Sequence, residues 1–303
     1  MRCLVTGGTG FIGSNLALHL QGEGHEVIIT GNESEQQIPE LKVKCLYPGF
    51  IGIDWDAICD IDVLFHQAAI NNTRLTDRSE MFRANLESSR ALFQHVISHG
   101  CRRIVYASST AVYGRNPAPY SEKGPFDLNT PYAESKKYVE ELAWEMNRDH
   151  PELVIVGLRY CNVYGPREHH KGRRSTMIHQ LARQMLKGNP RLFKYGEQRR
   201  DYIYVKDVVR ANVLAASAPE SCVVNCGSGH ATTFNKLVDI LNEVMGLSRT
   251  PEYIDNPYGE NYQNDTTCHM TYACEAIGFA PEYHIQDGIR DYHKGGWLTA
   301  GDR

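Results

Sequence analysis

Cys3-Leu4-Val5-Thr6-Gly7-Gly8-Thr9-Gly10-Phe11-Ile12-Gly13 decides the fold. A short apolar run breaks into a glycine turn, and Phe11, Ile12, Leu16 and Leu20 then repeat at helical spacing, giving strand, turn, helix. In that context Gly7 makes the tight turn, Gly10 lets the backbone approach a pyrophosphate, and Gly13 lets helix and strand pack closely. The phosphates belong at the helix N-terminus, where free N–H groups gather. Glycines also serve ordinary turns, so the position between strand and helix carries the dinucleotide reading.

The same alternation continues outward. Glu26–Thr30, Asp62–His66, Arg103–Ala107, Leu153–Arg159 and Val223–Gly227 read as buried strands, separated by helical runs. This predicts an α/β fold with a doubly wound parallel (Rossmann) sheet. Beyond Gly165 the pattern loosens, and no linker or repeat intervenes. A smaller, interleaved C-terminal substrate-binding domain is therefore expected, with residues 1–165 and a returning 200–228 in the dinucleotide domain, and 166–199 and 229–303 in the other. From 252 to Gly288 the chain, rich in Tyr, Asn and Pro over 252–266, reads as loop.

The composition sets outer limits. A chain of 303 residues with 42% hydrophobic and 22% charged content can bury a sizeable core. A formal net charge of -4 gives no footprint for nucleic acid or an anionic membrane. No window reaches the roughly eighteen apolar residues of a membrane span. Nine scattered cysteines, without a CxxC pair or a leading signal segment, read as reduced thiols in a cytoplasm and give no metal site.

Pro131-Tyr132-Ala133-Glu134-Ser135-Lys136 heads another helical run, which sets the Tyr132 phenol and the Lys136 ammonium one turn apart on one face. A phenol ionises near a pKa of about 10, and a fixed cation favours its phenolate. Tyr132 can then exchange a proton with a sugar hydroxyl. Alone, such a pair more often marks a packed ring and a solvated amine.

The remaining motifs are His66-Gln67-Ala68-Ala69, Ser108-Ser109-Thr110-Ala111-Val112-Tyr113-Gly114, Arg159-Tyr160-Cys161-Asn162-Val163-Tyr164-Gly165-Pro166 and Arg200-Asp201-Tyr202-Ile203-Tyr204-Val205. With the glycine loop and the Tyr132/Lys136 pair, in this order over nearly the whole length, the chain resembles the extended short-chain dehydrogenase/reductases of the nucleotide-sugar epimerase and dehydratase type. The resemblance implies catalytic roles for Ser109, Tyr132 and Lys136. It implies cofactor contacts from Gly7, Gly10, Phe11, Ile12, Gly13, Asn32, Gln67, Ala68, Ala69, Asn85, Ser108, Tyr132 and Lys136. Substrate contacts are implied for Ser109, Thr110, Asn162, Lys171, Phe193, Arg200 and Tyr262, with Asn162 and Arg200 on the diphosphate. An arginine fork suits phosphate oxygens, although Arg200 could equally pair with Asp201.

The acidic residue expected after the second strand is absent at Gly31-Asn32, and no arginine or lysine replaces it before Lys42. This leans toward NAD, with NADP left open. The dehydratases of the family carry an Asp-Glu pair where this chain has Thr110 and Ala111, which argues against dehydration. Arg167-Glu168-His169-His170-Lys171-Gly172, Asn189–Phe193 and Tyr262-Gln263 resemble the ADP-glycero-manno-heptose 6-epimerases, in which the lysine is a second acid/base. A loop lysine gripping phosphate is the plainer role for Lys171. Arg173-Arg174 departs from the small residues of those enzymes, so a UDP-hexose 4-epimerase is the alternative. A net oxidoreductase or a non-catalytic cofactor-binding protein stands further off. The resemblance also implies a nucleotide-diphosphate sugar as substrate and a homodimer formed by helices around 80–98 and 132–148.

Overall fold

The computed structural model describes residues 1–31, 38–46, 55–71, 77–257 and 263–300, apart from the side chains of 56, 57 and 173. In chain order its elements are β1 (Arg2–Thr6), α1 (Phe11–Gly22), β2 (Glu26–Thr30), β3 (Lys44–Leu46), β4 (Val63–His66), α2 (Arg78–Phe82), α3 (Ser88–Ser98), β5 (Arg103–Ser109), α4 (Pro131–Asp149), β6 (Val154–Tyr160) and β7 (Asn162–Tyr164). The second half adds α5 (Met177–Lys187), β8 (Arg191–Phe193), β9 (Arg199–Tyr204), α6 (Val205–Ala216), β10 (Cys222–Cys226), β11 (Ala231–Thr233), α7 (Phe234–Met245), β12 (Glu252–Ile254), α8 (Thr271–Ile277) and α9 (Ile285–Lys294).

Seven strands form one sheet in the order β10-β6-β5-β4-β1-β2-β3, and every pairing within it is parallel. Parallel strands joined by helices must be covered on both faces. Val5, Phe65, Val105 and Val156 accordingly sit in one apolar core, while Leu4, Leu64, Ile104 and Ile155 face another. The chain order reverses between β1 and β4, and a doubly wound sheet opens a ligand crevice at the C-terminal ends of such a pair. The glycine turn comes after β1, and Gln67-Ala68-Ala69 comes after β4. The first and second motifs therefore meet at this crevice.

Local sequence explains the start of α4. Thr130 caps it by accepting from the Ala133 N–H at 3.1 Å, and Pro131 occupies the first turn, where no backbone N–H is needed. Thr233 caps α7, accepting from the Lys236 N–H at 3.1 Å.

Two expectations need correction. The sequence pattern puts β9 with the segment returning to the large sheet, but β9 pairs with β7 and β11 in a separate three-stranded sheet. Cys161 ends the run of β6, its N–H donating to the Cys226 oxygen at 3.0 Å, and the chain then leaves to offer β7 to β9. The return begins at α6, and β10 completes it. The stretch after 252 is also more ordered than a loop: β12 pairs with β8, and α8 and α9 precede or span Gly288. Short helices are marginal alone; α9 is held by burying Gly288, Ile289 and Tyr292 against the core.

Candidate active site

Gly7 has a φ of 64°, and a Cβ there would come within 3.0 Å of the Ala68 backbone. Only glycine combines that conformation with that approach. Gly13 packs on the loop itself, where a Cβ would lie 2.1 Å from the Gly7 oxygen. Helix α1 then begins at Phe11 with Gly10 as its cap and no side chain occupying its end. The first-turn N–H groups stay available to an anion.

A cleft of about 370 Å³ lies against this end. Its wall combines Phe11, Ile12, Gln67 and Ala69 with Ser108, Ser109, Tyr132 and Lys136 from the sheet and α4, and with Asn162 and Lys171. These residues come from well-separated parts of the sequence. Their convergence makes a single site.

Within it, the Ser109 side chain lies beside the Tyr132 phenol and favours its ionised form. Ser109 Oγ also caps the turn beyond β5 by accepting from the Ala111 N–H at 3.1 Å. Lys136 Nζ lies 5.9 Å from the centre of the Tyr132 ring and donates to the Ala107 oxygen at 2.8 Å. Burial pushes the lysine down to about 8, with Glu140 pulling the other way. Burial likewise raises the Tyr132 phenol, with the neighbouring Ser109 pulling the other way. The expected depression of the phenol by Lys136 is thus not a property of the pair in the protein alone. Desolvation disfavours phenolate, and the lysine's proton is directed to a carbonyl.

Lys171 sits in a 3₁₀ turn, His169–Arg174, with Nζ 5.4 Å from the centre of the Phe11 ring. Burial lowers its pKa, and the Glu168 carboxylate draws it back up. Glu168 is itself fully buried and accepts from the Thr176 N–H at 2.8 Å, the Thr176 hydroxyl at 3.0 Å and the Gly165 N–H at 3.3 Å. In the sequence Glu168 is no more than a member of a motif. Its role in anchoring the lysine turn needs the contact with Thr176, eight residues on.

Other expected residues are placed differently. Gln67 Nε2 donates to Asn212 Oδ1 at 2.9 Å, and its Oε1 accepts from the Tyr160 hydroxyl at 2.9 Å. Ala68 contributes backbone, its N–H donating to Thr6 Oγ1 at 3.2 Å. Asn85, expected at the cofactor, is buried in a π turn (Arg83–Glu87) between α2 and α3. Its amide is committed to the Ile70 backbone in both directions and to Ser135. Both amide donors and one acceptor lone pair are thus engaged, and Asn85 ties the Ile70 backbone to Ser135. The Ser108 hydroxyl, also on the cleft wall, gives its proton to Glu140 Oε1 at 2.6 Å and keeps its acceptor lone pairs. Thr110 Oγ1 donates to the Tyr160 oxygen at 3.2 Å.

Asn162 reaches the cleft while donating to the Asp201 oxygen and to Thr266 Oγ1, each at 3.2 Å. Arg200 and Phe193 are not on the cleft wall. The Arg200 guanidinium lies 5.7 Å over the Phe234 ring and donates to the Arg199 oxygen at 2.9 Å. Its alternative partner Asp201 instead accepts from Ser228, Gly229 and Cys268. Asn32 and Tyr262 lie outside the described residues. Arg174 also lines the cleft, as do Thr176, Met177 and Gln180, which no sequence motif singles out. They stand on a turn and the start of α5, where ordinary helix spacing gives no sign of a ligand.

A glycine cradle at a helix start, beneath a serine, a tyrosine and a lysine, is the apparatus of a nicotinamide-dependent enzyme acting on an alcohol carbon. The profile of the NAD dependent epimerase/dehydratase family matches residues 3–227, and the chain belongs to that family. NAD is its cofactor, and the chain is a sugar-nucleotide epimerase.

Among its relatives, the ADP-L-glycero-D-manno-heptose-6-epimerase of Alkalilimnicola ehrlichii is 34% identical, over 95% of each chain. A putative UDP-glucose 4-epimerase of Methanocaldococcus jannaschii is 31% identical, also over 95% of each. The crystal structure of the Helicobacter pylori ADP-L-glycero-D-manno-heptose-6-epimerase superimposes with a TM-score of 0.86 at 31% identity, covering 97% of this chain and 95% of that one. Among the described residues no helix is long and apolar enough to cross a membrane.

Proposed function

We propose that the enzyme inverts a carbinol of an ADP-activated heptose through a transient ketone. The observation that carries this is Lys171, which shares one cleft wall with Tyr132 and Ser109. Inverting a carbinol requires proton movement on both faces of the sugar, and two acid/base groups supply it. The glycine cradle and the buried Lys136 fit NAD, which when bound supplies reversible hydride acceptance.

The chain's own groups do the rest. Tyr132 takes and returns the proton of the reacting hydroxyl, with Ser109 holding that oxygen close. Lys136 holds the cofactor ribose, and in the complex the charge of the oxidised ring reinforces it in lowering the phenol's pKa. Lys171 moves the proton on the opposite face. Its burial, which lowers the pKa, favours the neutral amine that such a base needs. Asn162 and Arg200 hold the diphosphate, Arg200 by swinging from its place over Phe234. The likeness to the heptose epimerases supports the sugar.

A 4-epimerase of a UDP-hexose is the second reading. Arg174 on the cleft wall favours it, as does the likeness to the putative UDP-glucose 4-epimerase. Tyr132, Ser109 and Lys136 serve either reaction. In the second, Lys171 binds phosphate and one base suffices.

Incubation with ADP-heptose and with UDP-, ADP- and GDP-hexoses, followed by product stereochemistry, separates the two. Turnover of ADP-heptose that is lost in Lys171→Ala supports the first reading. Turnover of UDP-hexose alone, retained in Lys171→Ala, overturns it. Tyr132→Phe should lose about 10² to 10⁴ in kcat in either case while still binding NAD.

A further inference from the structure

Cys161 and Cys268 are separated by 107 positions in sequence, yet their sulfurs lie 2.9 Å apart. Both backbones are pinned. The Cys161 N–H donates to the Cys226 oxygen, and the Val163 N–H donates to the Cys161 oxygen, each at 3.0 Å. On the other side, the Tyr120 N–H donates to the Thr267 oxygen and the His269 N–H to the Tyr120 oxygen, each at 2.8 Å. The Cys268 N–H donates to Asp201 Oδ2 at 3.1 Å. The approach of the sulfurs is therefore imposed by the scaffold.

Cys161 lines the cleft, immediately before Asn162, whereas Cys268 is buried behind it. The two residues flanking this sulfur pair, Asn162 and Thr266, are joined by their own hydrogen bond at 3.2 Å. Asp201 lies close enough to suggest a metal set with both thiols. Its carboxylate, however, already accepts from the Ser228 N–H and hydroxyl, the Gly229 N–H and the Cys268 N–H. Little of its lone-pair capacity remains for an ion.

We propose that Cys161 and Cys268 are a reversible disulfide site that reshapes the substrate side of the cleft when oxidised. With a peroxide as oxidant, the Cys161 thiolate attacks the O–O bond, giving a sulfenic acid and releasing water. The Cys268 sulfur then displaces the sulfenic oxygen as a second water, so that two thiols and one hydrogen peroxide give one disulfide and two waters. A reducing thiol reverses it. A sulfur–sulfur bond is about 2.05 Å long, so forming it draws Cys161 and Cys268 together and displaces the Asn162–Thr266 contact. Burial holds the Cys161 thiol protonated at neutral pH, which makes its attack on peroxide slow there and faster as pH rises.

The gating rests on the proposed placement of the substrate at Asn162; the bond itself does not. The full-length enzyme with NAD is treated with hydrogen peroxide, digested without reduction, and mapped by mass spectrometry. Its kcat/KM is measured in parallel on any nucleotide sugar it turns over. A peptide linking residues 161 and 268, a fall of about tenfold in kcat/KM, and recovery of both in dithiothreitol are expected. Cys161→Ser and Cys268→Ser should each abolish the linked peptide and the peroxide-dependent fall, measured against each variant's own reduced rate. Peroxide that oxidises the exposed Cys274 while 161 and 268 stay thiols overturns the site. A linked peptide with unchanged kcat/KM overturns the gating and leaves the epimerase reading intact.

Discussion

Asn85 and Ser135, on different helices, meet through a 3.0 Å hydrogen bond from Asn85 Nδ2 to Ser135 Oγ, and Ser135 Oγ donates onward to the Tyr132 backbone carbonyl at 2.8 Å. The π turn before α3 thus fixes the first turn of α4, which presents the phenol. Asn85→Ala removes that tether and strands the Ile70 backbone groups. A displaced acid/base group costs rate more than binding. We expect kcat to fall about tenfold or more with the NAD dissociation constant changed far less, measured by steady-state kinetics and cofactor titration. An equal loss in both would make Asn85 a direct cofactor contact.

Beneath the site, Arg159 forks onto Glu140, with Nε donating to Oε1 at 2.8 Å and Nη2 to Oε2 at 2.7 Å, both side chains being almost wholly buried. Ser108 and Lys137 converge on the same carboxylate. Breaking a buried pair leaves an uncompensated charge, so Glu140→Gln should cost about 3 to 5 kcal/mol of stability. Denaturant unfolding measures it. A loss under about 1 kcal/mol would mean that the pair behaves like a surface one.

His66 gives a pH signature. It lies between Thr6 Oγ1 at Nδ1 and Ser89 Oγ at Nε2, each 2.8 Å away. Because Ser89 donates its proton to the Asn85 oxygen, at 2.5 Å, Nε2 carries the imidazole proton. Burial, with Lys136 adding to it, pushes His66 down to about 3. Between about pH 6.5 and 3 the unfolded chain binds a proton that the native chain refuses, so stability is lost as pH falls through that window and is unaffected above it. His66→Gln should flatten the dependence of unfolding free energy on pH there, whatever its absolute stability. Unchanged slopes in wild type and variant would refute the assignment.

The Glu168 carboxylate raises the Lys171 pKa against burial. Glu168→Gln removes that support, so the ionisation of Lys171 should move to lower pH. If Lys171 is the second base, the corresponding limb of the pH–rate profile moves with it, and Lys171→Ala abolishes that limb. A profile that does not move in Glu168→Gln would separate Lys171 from the rate-determining proton transfer.

The glycine turn, the strand alternation and the Tyr132/Lys136 spacing are local patterns, and local geometry is set by them. The sequence by itself therefore determined the parallel sheet and the helix that presents Tyr132. What it left open depends on which long-range neighbours occupy each polar group. Asn85 and Ser108 match motif positions, yet their protons are taken by Ile70, Ser135 and Glu140. A cation one turn away predicts a depressed Tyr132 phenol, but desolvation, which no spacing reveals, outweighs it. Helix α9 is held by burying Ile289 and Tyr292 and by pairing Asp291 with Tyr204 and Lys206, both far off in sequence. Likewise, tertiary structure alone brought Cys161 to Cys268 and Lys171 to the wall shared with Tyr132, because both meetings are made by strands and turns that the fold, not the chain order, sets side by side.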